Sequence, residues 1–275
     1  MLKRVSVAAV LVALAGFGSR ARAQESNLKL NDSPLLLQNR TEATVVQGEP
    51  GDWHFRTGFN LWAAAFTGTV GNGTTEVDVD AGLGEIFENG TWGLEFQFEA
   101  GTGKWSFLFD GMWLHLGDDP TASRTGRDAD IDGDFGFIDM AGGYEFKRLN
   151  VRGKTVALDA LLGFRWTRVD TSTHVIEGPT PRPKREDDKD FIDPYIGIRA
   201  RTDLSDKYTL TGTATVGGIG VGSDLFATAE LMLEYRLNDT WWLAGGYRVY
   251  YYDYDDNFEW NVTMHGPFIG IVARF

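Results

Sequence analysis

From Asp52 to Phe275 apolar and polar residues alternate with a period of two, segment after segment, and strands of β-sheet are what satisfies that pattern. In Thr91–Gly101 one face carries Trp92, Leu94, Phe96 and Phe98 and the other Gly93, Glu95, Gln97 and Glu99. In Val156–Arg168 one face holds Val156, Leu158, Ala160, Leu162, Phe164 and Trp166, and the other includes Asp159, Gly163, Arg165 and Thr167. A helix would scatter these charges around a 3.6-residue period, whereas a strand keeps them on one side. The pattern predicts ten strands, over 52–66, 91–101, 104–117, 131–147, 154–170, 190–202, 208–217, 223–237, 241–254 and 258–275.

Length then selects the kind of sheet. Globular strands average about 5–6 residues, and a tilted strand crosses a bilayer in about 9–11. These segments reach or exceed the second figure. Short turns (101–104, 148–153, 203–207, 238–240) alternate with longer connections such as 67–90, 118–130 and 171–189. Short turns on one rim and long loops on the other characterise outer-membrane barrels. Closure follows from chemistry, because an open edge in hydrocarbon leaves backbone N–H and C=O groups unpartnered at several kcal/mol each. The expectation is therefore an all-β, antiparallel, up-and-down transmembrane barrel of about ten strands, eight to twelve being compatible. Trp53, Trp92, Trp105 and Trp241 are expected near the short-turn rim, and Trp113, Trp166, Tyr251 and Trp260 near the loop rim. A soluble sandwich is the alternative, and it would need shorter strands.

Residues 1–23 read as a secretory signal. Lys3 and Arg4 precede the apolar run Val5–Gly16, and Ala21-Arg22-Ala23 supplies small residues before a cleavage point at Gln24. Cleavage near Ala23 would remove four cations and no acids, taking the net charge from −13 to −17. Such an acidic chain is a poor partner for nucleic acid. Residues 24–51 read as a periplasmic leader or linker and 52–275 as the barrel. The absence of Cys excludes disulfides, thiolate metal sites, a Cys nucleophile and a lipid-modified Cys.

The last strand, Gly266-Pro267-Phe268-Ile269-Gly270-Ile271-Val272-Ala273-Arg274-Phe275, resembles the C-terminal strand by which outer-membrane barrels are recognised for assembly, with departures at Phe268 and Ala273. Three further stretches resemble the OmpA-like and OmpX-like barrels, in a widespread and largely uncharacterised proteobacterial branch. They are Leu61-Trp62-Ala63 through Gly68 with Asp78-Val79-Asp80, Phe98-Glu99-Ala100 through Lys104-Trp105 to Asp110, and Gly245-Gly246-Tyr247-Arg248 through Asp253-Tyr254. That resemblance implies a small hairpin within 69–89 followed by a short helical turn at Leu83–Glu88. It implies no catalytic residue and no cofactor. It also implies a monomer whose partners are outer-membrane lipids, lipopolysaccharide and, through the Phe275 strand, the barrel assembly machinery.

Pointing each polar face inward gathers Glu95, Glu99, Asp110, Asp139, Glu145, Asp159, Asp193, Glu230 and Glu234 with Arg56, Arg165, Arg199, Arg201, Arg236, Arg248 and Arg274. A lumen of about ten strands is narrow, since eight leave room only for side chains and open channels appear near sixteen. The main expectation is thus a structural or surface-interacting barrel filled by charged pairs. The alternative is a narrow, porin-like channel. A lipid- or peptide-cleaving barrel enzyme comes third, with His115 near Asp118 and Asp119, or His174 near Asp170, as its only dyads; His54 and His265 complete the histidines.

Asp128, Asp130, Asp132, Gly133 and Asp134, with Asp139 in twelfth position, follow the spacing of a calcium-binding loop. Ordinary acidic surface is the competing reading, because the framing helices are missing. The Pro-broken stretch 179–189 reads as a solvated loop whose Arg182, Lys184 and Arg185 are candidates for lipopolysaccharide phosphates. Asp253, Asp255 and Asp256 read as solvated acids, with a divalent-cation bridge as the alternative.

Overall fold

The computed structural model describes residues 52–71, 76–82, 92–116, 128–176, 185–256 and 258–275. Among them no helix is long and apolar enough to cross a membrane. Twelve strands appear in chain order: β1 (Trp53–Trp62), β2 (Ala65–Gly71), β3 (Glu76–Ala81), β4 (Trp92–Thr102), β5 (Trp105–Leu116) and β6 (Asp128–Val151). They continue as β7 (Lys154–Ile176), β8 (Arg185–Ser205), β9 (Tyr208–Gly218), β10 (Leu225–Arg236), β11 (Trp241–Asp255) and β12 (Glu259–Arg274).

Ten of them close a barrel. The antiparallel order is β1-β4-β5-β6-β7-β8-β9-β10-β11-β12, and β12 returns to β1 with Phe268 opposite Trp62 and Arg274 opposite Arg56. The Phe275 backbone completes the seam, exchanging hydrogen bonds of 2.9 and 3.0 Å with Phe55. The first predicted strand, 52–66, is divided into β1 and β2, both of which lie against β12. Pro267 is the cause. It faces the gap and has no N–H to donate, so Ala63 N donates to Pro267 O at 3.1 Å with no return bond. The freed Gly266 carbonyl accepts the Trp62 indole N–H at 3.1 Å instead. Past this break β2 turns back into β3, an extra strand paired to β2 alone among the described residues. The expected hairpin is present, while the expected helical turn at Leu83–Glu88 lies outside the described residues, as do the signal segment and the leader.

The outer surface is the one that hydrocarbon requires. Leu162 is 68% exposed, Ile196 59%, Ile269 58% and Leu231 53%, and with Phe59, Leu61, Leu94, Phe107 and Leu243 they form a belt around the wall. In water a patch of this extent would be a liability. Trp53, Trp105 and Trp241 border the belt at the short-turn rim, and Trp92 and Trp113 border it at the other. These last two rings meet edge to face, with centroids 6.0 Å apart.

Trp92 begins β4 opposite His115, so it belongs to the loop rim, because β4 runs down from that rim to Thr102 beside Trp53. Trp260 is no girdle residue: it is fully buried, since the even positions of β12 point inward. Strands β6, β7 and β8 are longer than predicted and absorb parts of the expected loops, including Arg185–Lys189 and 171–176. The proposed calcium loop is one such part. Asp128–Asp134 is extended strand, paired residue by residue with Ile176–Asp170 of β7. A calcium loop must wrap around its ion, and a paired strand cannot. Asp134 meets His115 on the outer face, whereas Asp139 turns into the lumen toward Arg165.

Candidate functional site in the barrel lumen

All sixteen charged residues expected inside lie on inward-facing positions, and the lumen is built in two layers. The layer nearer the short turns is ionic, and four of its pairs tie strands that are not neighbours. Arg199 on β8 donates to both oxygens of Glu99 on β4, at 3.0 and 2.9 Å, and its Nε donates to Asp159 at 2.8 Å. Arg201 stands 3.2 Å from the same Asp159 oxygen. Arg56 on β1 reaches Glu234 on β10 at 3.2 Å, and Arg274 takes the other Glu234 oxygen at 2.6 Å. In the middle Arg248 on β11 grips both oxygens of Glu95 on β4 at 2.7 Å and also meets Glu230 at 2.6 Å. Asn60 donates to Glu95 from the side.

Burial explains why so many carboxylates and guanidiniums face one another. An ion held away from water costs several kcal/mol unless paired and hydrogen-bonded, and the guanidinium fork satisfies two carboxylate oxygens at once. Arg165 marks the upper limit of this layer. It donates to Asp139 at 2.6 Å and to the Tyr252 hydroxyl at 2.7 Å. Its guanidinium lies 4.0 Å from the Phe137 ring centroid and 4.8 Å from that of Phe226.

Above Arg165 the lumen is aromatic. Trp260 stacks on Phe135 with centroids 5.9 Å apart and planes 9° from parallel. Phe135 meets Tyr252 edge-on at 5.4 Å, Tyr252 stacks on Phe226 at 5.7 Å, and Phe191 stacks on Tyr254 at 4.7 Å. Charged pairs therefore fill half of the lumen rather than all of it. The sequence held the signal for the other half. Phe135-Gly136-Phe137-Ile138 and Tyr250–Tyr252 are apolar or aromatic on both faces, which marks a segment buried on both sides.

Two further contacts close the structure toward the loop rim. Asp193, fully buried, accepts from Ser223 N at 2.6 Å and from Ser223 Oγ at 2.8 Å, pinning the β9–β10 turn. In that turn Ile219 sits at φ 52° between Gly218 and Gly220, both also at positive φ. Neither Ser223 nor Asn60 was legible as a partner of a buried acid, because each lies far from it in sequence.

His54, His115 and His265 do not gather, and the side chain of His174, expected near Asp170, lies outside what the structure describes. His115 pairs with Asp134 at 2.9 Å on the outer face, and the partners expected for it, Asp118 and Asp119, lie outside the described residues. His265 meets the Tyr247 hydroxyl at 2.6 Å, and His54 is half-buried near the short-turn rim. Among the described residues no group of three His, Cys, Asp or Glu is arranged to hold a metal ion.

Residues 140–259 match a family described as a protein of unknown function, DUF481. No curated protein matches the sequence. Among solved structures the chain is similar to the translocator domain of the autotransporter NalP from Neisseria meningitidis (14% identity, 82% of this chain and 89% of that one, TM-score 0.42). It is also similar to the outer membrane protease OmpT from Escherichia coli (12%, 84% and 98%, 0.41) and to the attachment invasion locus protein Ail of Yersinia pestis (12%, 84% and 100%, 0.33). At these scores the likeness carries no argument about function, and the fold rests on the strand pairing itself.

Proposed function

We propose that this is an integral outer-membrane barrel, related in kind to the OmpA-like proteins, that acts as a structural or surface-interacting element with a closed lumen. The observation that carries the reading is the pair of cross-lumen grips, Arg248 on Glu95 and Arg199 on Glu99, beneath a packed aromatic layer. A conducting path would require water where these side chains stand. In this reading the protein is exported with loss of residues 1–23, is assembled through the Phe275 strand as a monomer, contacts lipopolysaccharide, and catalyses no reaction. Planar-bilayer recording tests it. The purified barrel is expected to give no discrete conductance steps. Steps in the wild type that Arg165→Glu abolishes would establish the narrow channel in its place, and turnover of lipid A or peptide substrates would establish the enzyme. Export is checked separately by a heat-modifiable band in the outer-membrane fraction.

A further inference from the structure

The β6–β7 hairpin at the short-turn rim stands clear of the wall. β5 pairs with β6 no further than Tyr144 opposite Trp105, and β8 pairs with β7 no further than Val156 opposite Thr202. Residues 146–155 are exposed throughout. This segment contains Lys147, Arg148, Arg152 and Lys154 and no acid, in a chain whose net charge is −13. A bulge between Glu145 and Lys147 shifts the register, and such bulges re-aim the side chains that follow. Glu145 faces Asp159 inside the barrel. Beyond the bulge Lys147, Leu149 and Val151 fall opposite Leu158, Val156 and Lys154, on the lipid-facing side. Arg148 turns the other way and pairs with Glu145 at 2.6 Å.

The outward face of the hairpin therefore carries Phe146, Leu149 and Val151, each exposed, interleaved with Lys147 and Lys154 just past the rim that Trp105 and Tyr144 mark. We infer that this hairpin is a binding surface for anionic phospholipid in the leaflet at the short-turn rim, with Lys147, Arg152 and Lys154 on the phosphates and the three apolar side chains seated between the head groups. The inference rests on the membrane reading above. The apolar residues decide between partners, because an anionic glycan or peptide polymer has no counterpart for them, whereas a lipid supplies charge and hydrocarbon together.

The test exploits the absence of Cys, which makes a single label unique. Val151→Cys carries a fluorophore on the hairpin, and Asp239→Cys carries it on the β10–β11 turn as a control. Each full-length protein is placed in phosphatidylcholine nanodiscs containing spin-labelled phosphatidylglycerol or spin-labelled phosphatidylcholine. At Val151 the anionic lipid is expected to be enriched over the zwitterionic one by at least about fivefold, the factor one cation near an anionic surface provides. At Asp239 the two lipids should quench alike. The enrichment should vanish in Lys147→Gln/Arg152→Gln/Lys154→Gln and persist in Lys147→Arg/Lys154→Arg, with all variants shown folded by their unboiled gel mobility. Equal quenching at Val151, an enrichment that survives the triple variant, or its displacement by soluble peptidoglycan fragments would overturn the inference and leave the barrel reading standing. Absence of quenching at both sites by both lipids would overturn the membrane reading itself.

Discussion

Arg199 and Glu99 sit on opposite walls of the barrel, on β8 and β4, and form a two-point grip at 2.9 and 3.0 Å while Arg199 also holds Asp159. One guanidinium thus fixes two acids that belong to different parts of the wall. Removing it leaves both carboxylates buried without it.

Arg199→Met should lower the unfolding free energy by roughly 3–5 kcal/mol, the range for breaking a buried pair from one side. Glu99→Gln in the same background should recover part of the loss, because it removes one uncompensated charge. The measurement is the denaturant midpoint of the folded band on unboiled gels. Additive losses in the double variant would show that the two residues do not act as a pair.

Gly270 faces Asn60, and a Cβ there would run into the Asn60 carboxamide and the Phe59 carbonyl. Gly270→Ala should therefore push Asn60 off Glu95 and cost about 1–3 kcal/mol, as overpacking does. Gly142→Ala is the control, since a Cβ at that exposed position meets nothing within 4 Å. Equal stability of the two variants would remove the tight contact as an explanation for glycine at 270.

Ile219 is a β-branched residue held at φ 52°, and its side chain is 77% exposed. Left-handed backbone costs a residue with a Cβ roughly 1–2 kcal/mol, and Asn tolerates it better. Ile219→Asn is expected to raise the unfolding free energy by up to about 1 kcal/mol. A drop instead would mean that the exposed Ile219 side chain is buried in lipid or by a partner.

Asp134 and Asp139 lie on opposite sides of the same strand, one on His115 and the other on Arg165. Calcium titration followed by calorimetry should accordingly show no site that depends on both. A saturable site lost in Asp134→Asn and in Asp139→Asn alike would contradict the strand geometry.

Much of this architecture could be read from residue order alone, and the reason is periodicity. A strand with one face in lipid and one in a polar lumen must alternate, so Glu95, Glu99, Arg165, Arg199 and Glu234 could be placed inside before any pairing was known. The number of barrel strands followed from the same alternation together with strand length. The rule fails where the inward face is itself apolar. Trp260 stands between Glu259 and Asn261, and Tyr252 beside Asp253, so turning the polar residues inward points these rings outward toward the girdle, whereas the structure buries both.

What the sequence by itself determined is the sheet, the inward charges and the outward apolar belt, because each follows from residue type and a spacing of two. Which acid meets which arginine was decided by the tertiary structure alone. Arg199 and Glu99 are separated by four strand-to-strand steps, and only closure of the wall, with the stagger set by β12 returning to β1, brings them within hydrogen-bond reach. The same holds for the short break at Pro267 and for the bulge after Glu145. Both are local in sequence, yet their effects depend on the strand opposite: β12's proline divides β1 from β2, and the bulge acts through pairing with β7.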